Sequence, residues 1–425
     1  MNRVTRRQAL GALGALAFPW ERLLAQTNAA AGSPAASASA AALPPDLQNL
    51  HPIIESIARE RPLWLSFLDP QWRELATWKN AARAEFRRCL SYDPKPVPVG
   101  AELVRREERD GFSIEVVRIH ASPAYHIPAW VLVPAKRRGR LPAVVGTHDH
   151  GGRYVWGHEK LISAPNDSDE LKKKRDDAYG RPWAEALARR GYIVIVIDGF
   201  YFGSRRLRVE DLAPDRVLSE ARDSFNAARK AMPDSEEWHR AINRVCSQYE
   251  HLTAKNLIAA GATWPGLHTW DDMRTVDHLL SRPDVDPNRI GAAGLSIGGL
   301  RVAHLIGADP RIKAASITGW MTQFAQQHRN HLRNHTWMIF VPGLYAQMDF
   351  PDIAALHAPG ALLVQQCSRD VLYPMDAMKG AVDHLTKAYA KAGIPDRFRG
   401  TFYDEPHCYR PYMQDETFDW FDRRL

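Results

Sequence analysis

The sequence predicts an α/β fold, a mostly parallel central sheet with helices on both faces, from three observations. Strand-like segments come first, and from about residue 141 strands and helices alternate, the pattern of a sheet covered on both sides. Residues 192–197 form a run dominated by Ile and Val, suited to a strand with no solvent-facing side. Residues 290–306 read as an apolar strand, then Gly294-Leu295-Ser296-Ile297-Gly298, then an apolar helix. Glycines two residues to either side of a serine let neighbouring backbone approach a tight strand-to-helix turn.

The chain opens on Thr5-Arg6-Arg7-Gln8-Ala9-Leu10, a twin-arginine pattern followed by a Gly/Ala/Leu run up to Pro19. That run is too short to span a bilayer. Ala29-Ala30-Ala31 supplies a small-x-small cleavage pattern, and Leu23-Leu24-Ala25 is a poorer alternative. Residues 1–31 therefore resemble a Tat-type signal peptide, and 32–46, rich in Ala, Ser and Pro, a disordered spacer. The expected location is the bacterial periplasm or beyond, with no stable membrane anchor after cleavage.

Residues 47–95 read as a helical appendage for packing or oligomerisation, because Trp64, Phe67, Trp72, Leu75, Trp78 and Phe86 recur near helical spacing. Residues 96–425 then form one α/β domain. Its expected strands are 114–119, 127–133, 141–146, 192–197, 290–294, 314–318, 361–366 and 397–403. Residues 270–280 read as an amphipathic helix with Met273, Val276, Leu279 and Leu280 on one side.

Ser296 is the candidate nucleophile. A serine hydroxyl needs a base within reach and a third group to orient that base. On this kind of sheet the chain order is serine, carboxylate, histidine. Asp370 follows the strand at 361–366 and His407 follows the strand ending at Tyr403, so both are expected at the edge that presents Ser296. Asp404 and Glu405 are the fallback acids, and His384 is a worse base because it lies in a helical run. An oxyanion hole needs two backbone N–H groups. One is expected from Ile297, and the other from Gly151 or Gly152 in Thr147-His148-Asp149-His150-Gly151-Gly152.

Composition excludes several classes. With 45% apolar and 25% charged residues the chain is that of a globular protein. Of its formal net charge of +7, the leader holds +3, and the Lys172-Lys173-Lys174-Arg175 run is followed at once by two aspartates. No nucleic-acid partner is indicated. His148-x-His150 invites a zinc reading, but no second ligand pair follows at a metallohydrolase's spacing. His328, His331 and His335 fall on one face of a possible helix with no carboxylate or cysteine beside them. The expectation is no metal and no cofactor. A bridge between Cys367 and Cys408 is an alternative that spacing leaves open.

From about Glu102 onward the chain resembles the α/β-hydrolase family, and within it the secreted branch akin to dienelactone hydrolases and acetyl xylan esterases. The resemblance rests on residues 141–152, on Asp198-Gly199, on Asp286-Pro287-Asn288-Arg289-Ile290 leading into Gly-Leu-Ser-Ile-Gly-Gly, and on Asp309-Pro310-Arg311-Ile312. It implies nucleophile Ser296, base His407, acid Asp370 and oxyanion donors from Ile297 and the His-Gly-Gly loop. Dienelactone hydrolases have cysteine where Ser296 stands, so this chain departs from them there. Residues 204–262 are much longer than a minimal crossover, and charged helical stretches at 205–210 and 219–232 predict a cap-like insertion. Tyr154, Trp156, Tyr201 and Trp320 are expected to line the substrate site. The implied activity is that of an exported serine esterase forming an acyl-enzyme. Its substrate would be a small-molecule or polysaccharide ester, with acetyl and related carbohydrate esters favoured. Two alternatives are a serine peptidase of prolyl-oligopeptidase type, which usually carries a large propeller that 47–95 cannot form, and a non-catalytic binding protein of this fold.

Overall fold

The computed structural model describes residues 44–95, 97–136 and 138–425. The segment 1–31 expected to be a signal peptide and most of the expected spacer lie outside the described residues. Two helices precede the sheet, α1 (His51–Arg59) and α2 (Leu75–Leu90). The helical run expected over 47–90 is interrupted between them. Pro62 and Pro70 lack the amide that a continuing helix needs, and Leu63 takes a φ of 41°.

Strands β1 (Ala101–Arg109), β2 (Phe112–Ser122) and β3 (Tyr125–Pro134) form an antiparallel meander. After β4 (Leu141–Thr147) come α3 (Asp169–Ala178), α4 (Trp183–Arg189) and β5 (Ile193–Ile197). The long excursion that follows contains α5 (Arg222–Lys230), α6 (Glu236–Ala259) and α7 (Trp264–Ser281). The chain then alternates through β6 (Val285–Leu295), α8 (Ile297–Ala308), β7 (Ala314–Thr318), α9 (Phe350–Ala355), β8 (Ala361–Cys367), α10 (Met375–Lys391), β9 (Phe398–Tyr403) and α11 (Pro411–Arg424).

The strands make one nine-stranded sheet in the order β1-β2-β3-β5-β4-β6-β7-β8-β9. From β5 to β9 all neighbours are parallel. The chain leaves β4 for β5 on one side and returns to β6 on the other, so the order reverses at β4. Ligands of open α/β sheets bind outside the strand C-termini at such a reversal. Successive residues go to opposite faces, as a two-residue period requires. Val145, Ile193 and Ile195 join one core beneath α2, α7 and α8, while Val144, Val194 and Val196 join the other beneath α4 and α11. α8 is anchored by a buried pair, Arg301 on Asp272 at 2.6 Å.

Two elements differ from expectation. β1 has the sequence AELVRREER with mostly exposed side chains, so its apolar alternation is overwritten by charge, as suits an edge strand. The segment holding His328, His331 and His335 is not one helix but a series of short 3-10 turns, including Ala325–Gln327 and Leu332–Asn334. Its Asn and His residues are poor helix formers that compete for local backbone hydrogen bonds. In the insertion at 204–262 the stretch expected at 219–232 holds α5, whereas the one expected at 205–210 has only short 3-10 turns, and α6 follows. No helix among the described residues is long and apolar enough to cross a membrane.

Candidate active site

Ser296 stands between β6 and α8 with φ 61° and ψ −125°, a conformation strained for any residue with a side chain and worth about 1–3 kcal/mol. Surrounding bonds impose it. The Ser296 N–H donates to Thr318 O at 2.9 Å, and Ser296 O accepts from Leu300 N at 3.0 Å. A Cβ on Gly294 would sit 2.1 Å from Thr147 Oγ1, and one on Gly298 2.4 Å from Thr147 O. The Thr147 hydroxyl bonds Gly298 O at 2.9 Å and so stitches the end of β4 to the turn. Only glycine allows that approach. Ile297 is the first residue of α8, so its N–H is among those a helix leaves unpaired.

Asp370 and His407 leave the C-terminal ends of β8 and β9, on the same sheet edge as Ser296. Asp370 Oδ2 meets His407 Nδ1 at 2.5 Å, and Asp370 Oδ1 accepts from Leu372 N at 2.9 Å. Burial disfavours an imidazolium here, but the charge and hydrogen bond of Asp370 outweigh it and raise the His407 pKa. The His407 ring packs against Gly319, the residue after the Thr318 that holds the Ser296 amide. Its Nε2 is buried with no hydrogen-bond partner, so the ring carries no bond to Ser296 Oγ in this state. The fallback acids point elsewhere. Asp404 pairs with Arg369 at 3.0 Å, and Glu405 accepts from the Tyr412 hydroxyl at 2.6 Å. His384 lies in α10 and pairs with Asp352 at 2.7 Å.

The loop after β4 is pinned from several directions. Asp149 accepts from the Tyr179 hydroxyl at 2.7 Å and from Lys174 Nζ at 2.9 Å. Burial would raise the Asp149 pKa, but the ammonium groups of Lys174 and Lys160 hold it below the usual carboxylate range. Gly151 and Gly152 both take positive φ, 54° and 66°. Their amides differ. The Gly152 N–H donates to His150 Nδ1 at 3.0 Å, whereas the Gly151 N–H has no such partner. Of the two glycines expected as the second oxyanion donor, Gly152 is therefore engaged, and Gly151 has no partner for its N–H among the described residues.

Of the four aromatic residues expected to line the site, three are packing residues. The Tyr154 hydroxyl donates to Glu250 at 2.7 Å, Tyr201 donates to Cys246 O at 3.0 Å, and Trp156 packs edge-on to His239 at 5.1 Å. All three are buried between the insertion and the sheet, with the two hydroxyls already satisfied. Trp320 is also buried, but its indole N–H has no partner, and it meets Tyr373 edge-on at 5.6 Å. Tyr373 in turn lies 6.4 Å from His407. Sequence reasoning missed Glu250, which reaches from α6 to His150 at 3.2 Å and to the Thr336 hydroxyl at 2.8 Å. A glutamate in a long charged helix carries no signal that it faces inward.

Two groups of side chains bear on the expectation about metal. His148 Nδ1 lies 3.0 Å from Asp149 O and its Nε2 accepts from Gly199 N, while His150 turns to Glu250. The two rings of the His-x-His pattern thus serve different partners. His158, Glu159 and Asp198 bring ligand atoms within 4.8 Å of one another. The Asp198 oxygens there already accept from His158 N, His158 Nδ1 and the Ser204 amide and hydroxyl. Cys367 and Cys408 are free thiols, with Cys367 Sγ 3.5 Å from Cys408 O. An apolar cavity of about 520 Å³, lined by Ile57, Ile258, Trp264, Phe340 and Tyr345, does not touch Ser296, Asp370 or His407.

No family model matches the chain. It is 27% identical over 318 residues to YtaP of Bacillus subtilis (strain 168), which carries the name of a hydrolase, across 75% of this chain and 90% of that protein. A Bacteroides fragilis structure titled as an acetyl xylan esterase superposes with a TM-score of 0.61 at 18% identity, covering 83% of this chain and 82% of the other. A glucuronoyl esterase from Solibacter usitatus superposes with a TM-score of 0.56 at 14% identity, covering 83% and 94%. With its switch at β4, its serine turn after β6 and these likenesses, the chain has the α/β-hydrolase fold.

Proposed function

We propose that this protein is an exported serine hydrolase that cleaves carboxylic esters through an acyl-enzyme. The observation that carries the reading is the hydrogen-bonded Asp370–His407 pair on the sheet edge where Ser296 stands in its strained turn. His407 Nε2 takes the proton from Ser296 Oγ as the oxygen attacks the ester carbonyl. Negative charge develops on the carbonyl oxygen and is met by the Ile297 and Gly151 N–H groups. The intermediate collapses, the C–O bond breaks, and His407 returns the proton to the leaving alcohol. Water, deprotonated by the same imidazole, then attacks the acyl group and releases the acid and Ser296.

Acetyl and related esters on carbohydrates are the proposed substrates. The likeness to proteins titled acetyl xylan esterase and glucuronoyl esterase supports that class, as does the twin-arginine leader, which would carry the folded enzyme to extracellular polysaccharide. The test is a panel of p-nitrophenyl acetate, acetylated xylo-oligosaccharide, a methyl glucuronate ester and an aminoacyl-proline amide. Turnover of an ester with the amide untouched is expected. Amide cleavage with all esters untouched would make the protein a peptidase, and no turnover of any would favour a binding role.

A further inference from the structure

Lys160 is fully buried, and its ammonium donates to two main-chain carbonyls rather than to a carboxylate. It stands in the 3-10 turn His158–Lys160 with Nζ 4.8 Å from the centre of the Phe202 ring. A charge buried this way is costly unless its partners repay it. Burial pushes its pKa down to about 7 against the pull of the Asp149 carboxylate.

The two carbonyls belong to Asp149 and His150, at 2.7 and 3.0 Å from Nζ, and each has a second partner, His148 Nδ1 at 3.0 Å from Asp149 O and the Arg153 N–H donating to His150 O at 3.1 Å. In a trans peptide the N–H points opposite to the C=O of the same unit. The N–H groups paired with those carbonyls are those of His150 and Gly151. An ammonium gripping the oxygens from one side therefore turns both N–H groups to the other. Among the described residues neither amide donates a main-chain hydrogen bond, while the next one, Gly152, is held by the His150 ring. A cation on the carbonyl also polarises the amide and makes its N–H a stronger donor.

We propose that Lys160 is a positioning residue for the oxyanion hole, holding peptide units 149–150 and 150–151 so that the His150 and Gly151 N–H groups face the ester oxygen above Ser296. The proposal rests on Ser296 being the nucleophile, and it commits the second oxyanion donor to this pair rather than to Gly152.

Lys160→Met keeps most of the unbranched chain and removes the charge. On p-nitrophenyl acetate its kcat should fall about 10- to 100-fold, short of the loss when an oxyanion donor is deleted outright. KM should stay within about twofold, and Tm should fall modestly, since two hydrogen bonds to buried carbonyls and a cation near Asp149 are gone. A trifluoromethyl ketone, which mimics the tetrahedral oxyanion, should lose affinity in step with kcat. An unchanged kcat would overturn the proposal, as would a fall in kcat with no matching loss of affinity for the trifluoromethyl ketone, the sign of a merely structural role. The unaltered protein gives a second reading that does not depend on the variant folding. In a crystal of its adduct with an alkyl fluorophosphonate, the phosphonyl oxygen should lie about 3 Å from Gly151 N and Ile297 N, with Lys160 still on its two carbonyls. An oxygen directed at Gly152 N, or away from this loop, would overturn it. Failure of the probe to attach to Ser296 is a different result: it would overturn the nucleophile assignment and take this proposal with it.

Discussion

A serine hydroxyl does not attack esters at neutral pH unless a neutral base takes its proton, so the titration of His407 governs the reaction proposed here. Burial by itself would lower the His407 pKa, and the Asp370 charge and hydrogen bond outweigh burial and raise it above 6.5. The acidic limb of kcat/KM should therefore lie above pH 6.5 in the unaltered protein. In Asp370→Asn the limb should move to lower pH, and the plateau should drop by about ten thousandfold as the imidazole loses its correct tautomer. The same pair affects stability with a definite sign. Because the folded pKa is raised, its contribution is full below about pH 6.5 and is lost as pH rises through the folded value. Profiles of kcat/KM between about pH 5 and 9 check the kinetic claim. Wild-type behaviour in Asp370→Asn, with an inactive Asp404→Asn or Glu405→Gln, would move the acid elsewhere. At this scale Ser296, Asp370 and His407 were legible because a motif and a chain order single them out. Lys160 and Glu250 were not, because a lone charge next to apolar residues looks the same in sequence whether it turns inward or outward.

The strand–turn–helix element is the part of the structure most tightly specified by sequence. Gly294 and Gly298 are required by close backbone approach, not by flexibility, since a Cβ at either would overlap atoms of Thr147 or the turn itself. Gly298→Ala would press on Thr147 O and His148 O, both main chain, at the root of the loop after β4. It should cost about 1–3 kcal/mol of stability, as overpacking does, and lower kcat at least tenfold. Thermal unfolding and ester kinetics on the same preparation check both, and a variant with unchanged Tm and kcat would contradict the packing account. Continuous apolar runs, such as those opening 192–197 and 361–366, were readable directly. β1 was missed because Arg and Glu occupy both of its faces, and the helix expected across 47–90 failed at Pro62 and Pro70. Burial pattern and proline decided these cases, where aromatic spacing alone misled.

Across the whole molecule, the parallel order from β5 to β9 carries the C-terminal ends of β4, β6, β8 and β9 to one edge, so residues far apart in sequence meet there. The insertion at 204–262 adds a layer beside that edge, and Glu250 ties it to the loop after β4 through His150. Sequence length announced the insertion; its inward contacts depend on tertiary packing and were not readable. Export belongs to the proposal at this scale. Replacing Arg6 and Arg7 together by lysine should leave the protein in the cytoplasm, checked by fractionating cells that express it. Undiminished protein in the periplasmic fraction would contradict the twin-arginine reading. The central claim, that Ser296 forms the acyl-enzyme, is tested most directly by measuring kcat for ester hydrolysis in Ser296→Ala alongside its Tm. The account predicts a loss of at least about a thousandfold with Tm unchanged, the residue of rate coming from the oxyanion hole and binding. A folded Ser296→Ala protein that keeps most of its turnover would contradict it.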